Sequence, residues 1–286
     1  MTVYIFAVIQ GIVEGLTEFL PISSTGHMII TDYFLEASGF KSGLSEEAVK
    51  SFEVFIQLGA ILAVAILYRA KIADMIGHWR DGLTYFGKGE NSKEASSESG
   101  RLSLVHILFA MLPAVVIGLL CHSFIKHYLF SAKTVVIGLV VGGVYMIFAE
   151  RRETPISAAT LDAITHRQAF RIGLFQCLAL WPGFSRAGAT IAGGLLVGAN
   201  HRTAADFSFI LAVPMMIAAT GLDLLKSYKA LSVSLAGPFA TGFFVSFVVA
   251  WLAVVAFLNF LERVKLTPFA WYRFVMAAVV LFFMFR

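Results

Sequence analysis

Charge is what this 286-residue chain has least of. Asp, Glu, Lys and Arg together make up 14% of it, where a soluble domain carries about a quarter. That shortage excludes an ordinary soluble enzyme and points to an integral membrane protein. No polar stretch is long enough for a separate soluble domain, so residues 1–286 read as a single membrane domain. Cysteine is scarce too. Cys121 and Cys177 lie far apart in apolar stretches, which excludes a disulfide framework and predicts buried thiols. The start of the chain has no basic segment leading into a short apolar core and a small-residue cleavage site, so it is expected to be retained rather than removed as a signal peptide. The net charge is only +4, and its basic residues fall in loops between apolar runs. That suits a border of anionic lipid and excludes a nucleic-acid partner.

Apolar residues dominate instead, at 58% of the chain. Six segments read as transmembrane helices: 51–68, 102–121, 134–149, 204–223, 238–261 and 269–285. Each is near the roughly 20 residues that cross a ~30 Å hydrocarbon core. Residues 2–30 and 171–199 do not fit that length. Each is too long for one span and too short for two spans with a turn. Each is broken near its middle, the first at Pro21 and the second at Pro182-Gly183. Proline ends a helix, and glycine with hydroxyls favours a turn. Both are expected to be re-entrant helical hairpins, a shape tolerated only where it is buried in protein or lines a cavity. The fold class expected is an all-α polytopic membrane protein with six transmembrane helices and two re-entrant hairpins.

The halves resemble each other. Leu20-Pro21-Ile22-Ser23-Ser24 can be laid on Trp181-Pro182-Gly183-Phe184-Ser185. Each hairpin is then followed by three spans, giving repeats over 1–150 and 166–286. Three is odd, so the second repeat enters the membrane inverted. Such a plan places a site near the midplane, between the repeats. Loops 69–101, 150–171, 199–203 and 262–273 hold 14 Lys or Arg, and the opposite loops with the C-terminus hold 7. The positive-inside rule puts the first group in the cytoplasm, and the mouth of the first hairpin then faces outward. Loop 88–101 is polar and is assigned no chemistry.

The chemistry concentrates at the two breaks. Glu14 and Glu18 are four residues apart, so a helix puts both carboxylates on one face, where they repel. At membrane depth each would cost roughly 2.5–3.5 kcal/mol on insertion scales. No cation stands near them in the first hairpin before His27, so a metal ion, an arginine from elsewhere, or both are needed. Arg186 supplies an unpaired positive charge at the second break, with a planar fork suited to phosphate or carboxylate. The remaining kit is hydroxyls (Ser23, Ser24, Thr25, Ser185, Thr190), the imidazole of His27 and the backbone of Gly183. An arginine, hydroxyls and helix-start N–H groups suit an anion. Two glutamates suit a divalent ion, Mg²⁺ or Ca²⁺, accompanying it. Structural readings stay open beside this one. The glutamates could pair with Arg186 alone, the hydroxyls could repair backbone at the breaks, and His27 could be a helix-end residue. Glu53 is a minor candidate, and Asp206 is assigned to an interface.

The pair of motifs Glu14-x-x-x-Glu18 with Pro21-x-Ser23-Ser24-Thr25-Gly26-His27, and Pro182-Gly183-x-Ser185-Arg186-x-x-x-Thr190, resembles the undecaprenyl-diphosphatase family of the bacitracin-resistance type. The likeness runs the length of the chain. It implies removal of the terminal phosphate from undecaprenyl diphosphate, giving the monophosphate that carries cell-wall precursors. It also implies a site open to the periplasmic face of the bacterial inner membrane, and dependence on a divalent metal. In one departure, Ala187 stands where the family usually has serine, so no phosphate contact is expected from that position.

On this reading Glu14 and Glu18 hold the metal and Arg186 clamps the terminal phosphate. Ser23, Thr25, Gly183, Ser185 and Thr190 surround it. Ser24 is the favoured nucleophile, with His27 as its proton acceptor or donor. Ser23 and a metal-activated water stay open as nucleophiles. The partners expected are the polyprenyl diphosphate lipid and the surrounding membrane lipids, and a homodimer is left open. The rival class is a transporter carrying a polyprenyl phosphate, since paired broken helices in inverted repeats are also a transporter plan.

Overall fold

The computed structural model describes residues 2–40, 42–79, 101–129, 131–152, 154–227, 235–261 and 265–284. Loop 88–100 lies outside them. The described chain is helical. Its main elements are α1 (Thr2–Thr17), α2 (Ser24–Ala37), α3 (Glu46–Leu67), α4 (Arg69–Gly77), α5 (Leu104–Leu120) and α6 (Ala132–Arg151). There follow α7 (His166–Gln176), α8 (Arg186–Leu196), α9 (His201–Ser227), α10 (Ala236–Leu261) and α11 (Thr267–Met284). Strand pairing among the described residues is limited to one isolated bridge, Ala158 to Ala199.

Every segment read as a span is occupied by a helix. Within α3, α6, α9 and α10, the stretches Glu47–Leu67, Ala132–Arg151, His201–Gly221 and Ala236–Leu261 are long and apolar enough to cross a membrane; Thr2–Thr17, Leu104–Leu120 and Thr267–Phe283 are shorter apolar helices. The protein is a multi-pass membrane protein. Serine and threonine start several of these helices. Ser131 with Thr134, and Thr165 with Gln168, form reciprocal capping boxes at α6 and α7.

The two long broken segments are each a helix, a break and a second helix. In the first, α1 ends at Thr17 and α2 begins at Ser24. The second limb runs on to Ala37, seven residues past the expected end at residue 30, because no breaker intervenes before Ser38. In the second, α7 tightens into a 3₁₀ turn at Cys177–Leu180, and α8 begins at Arg186.

Small residues let these limbs pack closely. α1 lies along α10, where a Cβ on Gly15 would sit 2.7 Å from the Ser246 carbonyl, the close approach typical of small residues between membrane helices. α7 lies along α5 in the corresponding way, with Gly173 against Ala110. The main core runs between the limbs. Phe19, Phe207, Phe209, Ile191 and Ala187 are among its fully buried members. Cys121 and Cys177 are both free thiols and half-buried.

Candidate active site

The two breaks share one local device. Ser23 has φ 71° and Ser185 has φ 73°, and these are the only non-glycine residues with positive φ among those described. Each is the residue before a helix, and each hydroxyl accepts from a backbone N–H three residues on: Gly26 at 3.4 Å and Gly188 at 3.2 Å. A left-handed serine costs of order 1–3 kcal/mol, offset in part by this cap. The geometry therefore pairs Ser23 with Ser185, not Ser24 with Ser185 as the proline alignment has it. Ser24 then stands opposite Arg186, and Gly26 opposite Gly188. The extra residue lies between proline and serine in the second break, where Gly183 takes φ 90°.

The breaks meet around a cavity of about 230 Å³. Glu18, Ser23, Ser24 and Thr25 line it from the first break. Ala179, Trp181, Pro182, Gly183, Ser185 and Arg186 line it from the second, with Gln57 and Met216 completing the wall. Within it Ser24 Oγ donates to Glu18 Oε2 at 2.7 Å. Arg186 Nη2 donates to Glu18 Oε1 at 3.4 Å, a loose pair, and Nη1 to the Ser208 carbonyl at 3.2 Å. The guanidinium also stands 5.4 Å from the Phe19 ring centre. Its Nε–H is buried and has no partner among the described residues. The arginine is thus held in place with donor capacity to spare.

Three candidates, His27, Thr190 and Glu14, stand apart from this lining. His27 Nδ1 lies 2.8 Å from the Ser23 carbonyl, and Nε2 lies 2.7 Å from the Tyr272 hydroxyl, on which the imidazole also stacks. Both ring nitrogens are engaged, and neither faces Ser24. Thr190 Oγ donates back to the Arg186 carbonyl at 2.8 Å and bonds Ser208 Oγ at 2.6 Å. It is fully buried and braces α8 against α9. Ala187 is wholly enclosed in the main core, so a side chain there points away from the cavity.

Glu14 sits one turn back from Glu18, is 1% exposed, and has an Oε1 with no hydrogen-bond partner among the described residues. It feels the negative charge of Glu18 and then of Glu53. An unsatisfied buried carboxylate oxygen beside a second carboxylate fits a hard divalent cation, and all the donors here are oxygen. Among the described residues no group of three or more His, Cys, Asp or Glu gathers. The two glutamates therefore fit as part of a coordination shell, to be completed by water and ligand oxygens.

The sequence reading passed over Gln57, Tyr272, Arg273 and Ser208. Gln57 had a signal, as a polar residue within a span. Arg273 had been counted with the cytoplasmic loop charges. It lies instead inside α11, fully buried, which leaves thirteen basic residues on that side. Asp206 accepts from Tyr68 and from Arg202, at 2.5 and 3.1 Å, consistent with an interface role.

A helical membrane protein whose two broken helices face a shared polar cavity, with a free arginine donor and a hydroxyl on a carboxylate, belongs to a class that handles anionic lipids or solutes. Comparison with known proteins narrows the class. A family model described as bacitracin resistance protein BacA matches residues 7–279. The chain is 50% identical to Undecaprenyl-diphosphatase 1 of Bacillus thuringiensis (strain Al Hakam) and to that of Bacillus anthracis, over 277 residues and 97% of either chain. Against Undecaprenyl-diphosphatase 1 of a Bacillus cereus strain the identity is again 50%, over 283 residues and 99% of either chain. The chain belongs to the bacitracin resistance protein BacA family.

Proposed function

We propose that this protein is a membrane phosphatase that hydrolyses undecaprenyl diphosphate to undecaprenyl phosphate and inorganic phosphate. It thereby recycles the lipid carrier of cell-wall synthesis and confers resistance to bacitracin. The observation that carries the reading is the Ser24–Glu18 hydrogen bond beside Arg186. A carrier of polyprenyl phosphates needs an anion site but has no use for a hydroxyl resting on a carboxylate.

Arg186 receives the terminal phosphate. The loosely held Nη2 turns from Glu18 to the phosphate oxygens, and the unpartnered Nε–H adds a second donor as the guanidinium shifts. Glu18, freed from the arginine, takes the Ser24 proton. Ser24 Oγ attacks the terminal phosphorus, the bridging P–O bond breaks, and undecaprenyl phosphate leaves. Glu18 passes that proton to the departing undecaprenyl phosphate and is ionised again. Water then attacks the phosphoseryl phosphorus, and Glu18 takes its proton and returns it to Ser24 Oγ as inorganic phosphate leaves. Ser23, Thr25, Ser185 and the backbone of Gly183 position the phosphate; phosphoryl transfer needs chiefly such positioning and charge neutralisation. Glu14 and Glu18 would hold a divalent cation, Mg²⁺ or Ca²⁺, which neutralises diphosphate charge when bound. Direct attack by water is the alternative to Ser24.

The architecture proposed is six transmembrane helices with two re-entrant hairpins, 2–37 and 166–196 as the helices delimit them, in inverted repeats over 1–150 and 166–286. The matching left-handed serines and the packing of α1 on α10 and α7 on α5 support it. Loop charge supports a cavity facing the periplasm. The test is phosphate release from a C55 diphosphate by purified protein in detergent. Release that stops on chelation and returns with Mg²⁺ or Ca²⁺ is expected. No release from folded protein in any metal would overturn the reading and leave carriage as the function.

A further inference from the structure

Two adjacent residues of α11 reach the two breaks separately. Tyr272 holds the first through His27. Its hydroxyl meets Nε2 at 2.7 Å, and His27 Nδ1 in turn meets the carbonyl of left-handed Ser23 at 2.8 Å. The rings lie nearly parallel, 8° apart, with centroids 5.5 Å apart. Arg273 holds the second. Its Nη2 donates to the carbonyls of Phe184 at 2.7 Å, Gly183 at 2.8 Å and Gly138 at 3.1 Å. Gly183 and Phe184 are the residues just before left-handed Ser185 and Arg186.

Arg273 is an expensive residue to keep there. It is 0% exposed, and among the described residues no carboxylate pairs with it. Three neutral carbonyls do not repay the desolvation of a guanidinium as a carboxylate would. The fold nevertheless makes room for it. A Cβ on Gly188 would lie 3.1 Å from Nη1, and one on Gly142 would strike the guanidinium itself. A break at membrane depth frees carbonyls that need donors. All three carbonyls meet the one Nη2, whose two hydrogens they share, while Nη1 faces the Met146 sulfur at 3.3 Å. A lysine ammonium has as many donors but not the flat group that fits beside Gly142 and Gly188. A planar fork satisfies a fixed set in a fixed orientation.

We propose that Tyr272 and Arg273 are positioning residues that act as one joint. They set the distance between Ser24 and Glu18 on one break and Arg186 on the other. Neither touches the cavity. The joint acts through the carbonyls of Ser23, Gly183 and Phe184. Its catalytic meaning rests on the phosphatase reading above, because only a reaction needs nucleophile and clamp held at one separation.

The test uses full-length protein carrying Arg273→Lys, Tyr272→Phe or both, with wild type assayed beside them. Tyr272→Phe keeps the ring stack and removes only the hydroxyl. Arg273→Lys keeps the charge and removes the fork. The expected result is a kcat loss of at least about tenfold for Arg273→Lys and about threefold for Tyr272→Phe, with KM for the lipid changed by less than about threefold. The double variant should lose less than the product of the two, since a joint once loosened has less left to lose. Arg273→Ala should regain part of its kcat with millimolar methylguanidinium. A second readout needs no activity. Nitroxides at Thr25→Cys and Ala179→Cys, on a Cys121→Ser, Cys177→Ser background, report the separation across the cavity. That distance should be single and narrow in the parent and broadened by either α11 substitution. Unchanged kcat, strictly multiplied losses, or an unbroadened distance in folded variants would overturn the joint. A wild type that releases no phosphate would overturn the functional reading instead, while the distance measurement still decides the joint.

Discussion

Three neighbouring hydroxyls at the first break have different work, and the structure separates them. Ser23 caps α2 and has its carbonyl on His27, Ser24 rests on Glu18, and Thr25 is exposed at the cavity wall. Ser24→Ala should therefore cost several orders of magnitude in kcat, as loss of a nucleophile does. Ser23→Ala should cost chiefly the cap, about 1 kcal/mol of stability, and Thr25→Ala still less. Rapid-quench isolation of a phosphoseryl protein from wild type and its absence from Ser24→Ala is the direct check; equal, modest losses at all three would favour attack by water. Arg186→Lys should lower kcat/KM more than tenfold, a loss above ~1.4 kcal/mol, with the melting temperature little changed. Lysine keeps the charge but concentrates its donors on one nitrogen, so it loses the planar spread by which Nη2, Nη1 and Nε address Glu18, the Ser208 carbonyl and a phosphate from separate positions. The cavity-facing residues were legible because charge and hydroxyl groups are conspicuous in an apolar chain. Which hydroxyl bonds which carboxylate was not, because that depends on a backbone turn. His27 looked like the partner of Ser24 from three residues away. The left-handed Ser23 swings it instead toward Tyr272, a contact 245 residues distant in sequence.

At the scale of the element, proline and glycine mark both breaks, and apolar runs of span length mark the transmembrane helices. The prolines match the breaks one residue out of register, because the second break has an extra residue before its left-handed serine. Arg273 was misread for a related reason. A charge a few residues into an apolar run looks like the end of a loop, and nothing local reveals carbonyls supplied by α6 and the second break. Two glycines allow the strain at a break to be weighed against its packing. Gly39 and Gly183 both have positive φ, but a Cβ on Gly39 meets nothing within 4 Å, whereas one on Gly183 strikes the Val135 carbonyl. Gly39→Ala should cost only the backbone term, of order 1–3 kcal/mol. Gly183→Ala adds a clash of backbone against backbone, typically a further ~1–3 kcal/mol, and it moves the residues that lead into Arg186. Thermal unfolding should rank Gly183→Ala well below Gly39→Ala, and only Gly183→Ala should also lose turnover. Equal melting temperatures would mean that the second break tolerates movement, and that its close fit to α6 does not hold Arg186.

For the whole molecule, charge in the loops is the quantity that decides which way the cavity opens. Moving Arg273 from the loop into the core leaves the bias at thirteen to seven, still in favour of a cytoplasmic face for the loops after α3, α6, α8 and α10. On the proposed orientation the first break opens outward, where a diphosphate left by cell-wall polymerisation would be met. Thr25 is the exposed residue of that cavity, so it can report the direction. On a background with Cys121 and Cys177 changed to serine, Thr25→Cys should react with a membrane-impermeant maleimide added to intact spheroplasts, and prior exposure to a C55 diphosphate should slow the reaction. Two controls bracket it. Thr160→Cys, in the loop between α6 and α7, should react only after the membrane is opened, and Ser38→Cys, at the end of α2, should react from outside. If Thr25→Cys reacted only in opened membranes, the cavity would face the cytoplasm. The enzyme would then need its lipid flipped before hydrolysis, not after.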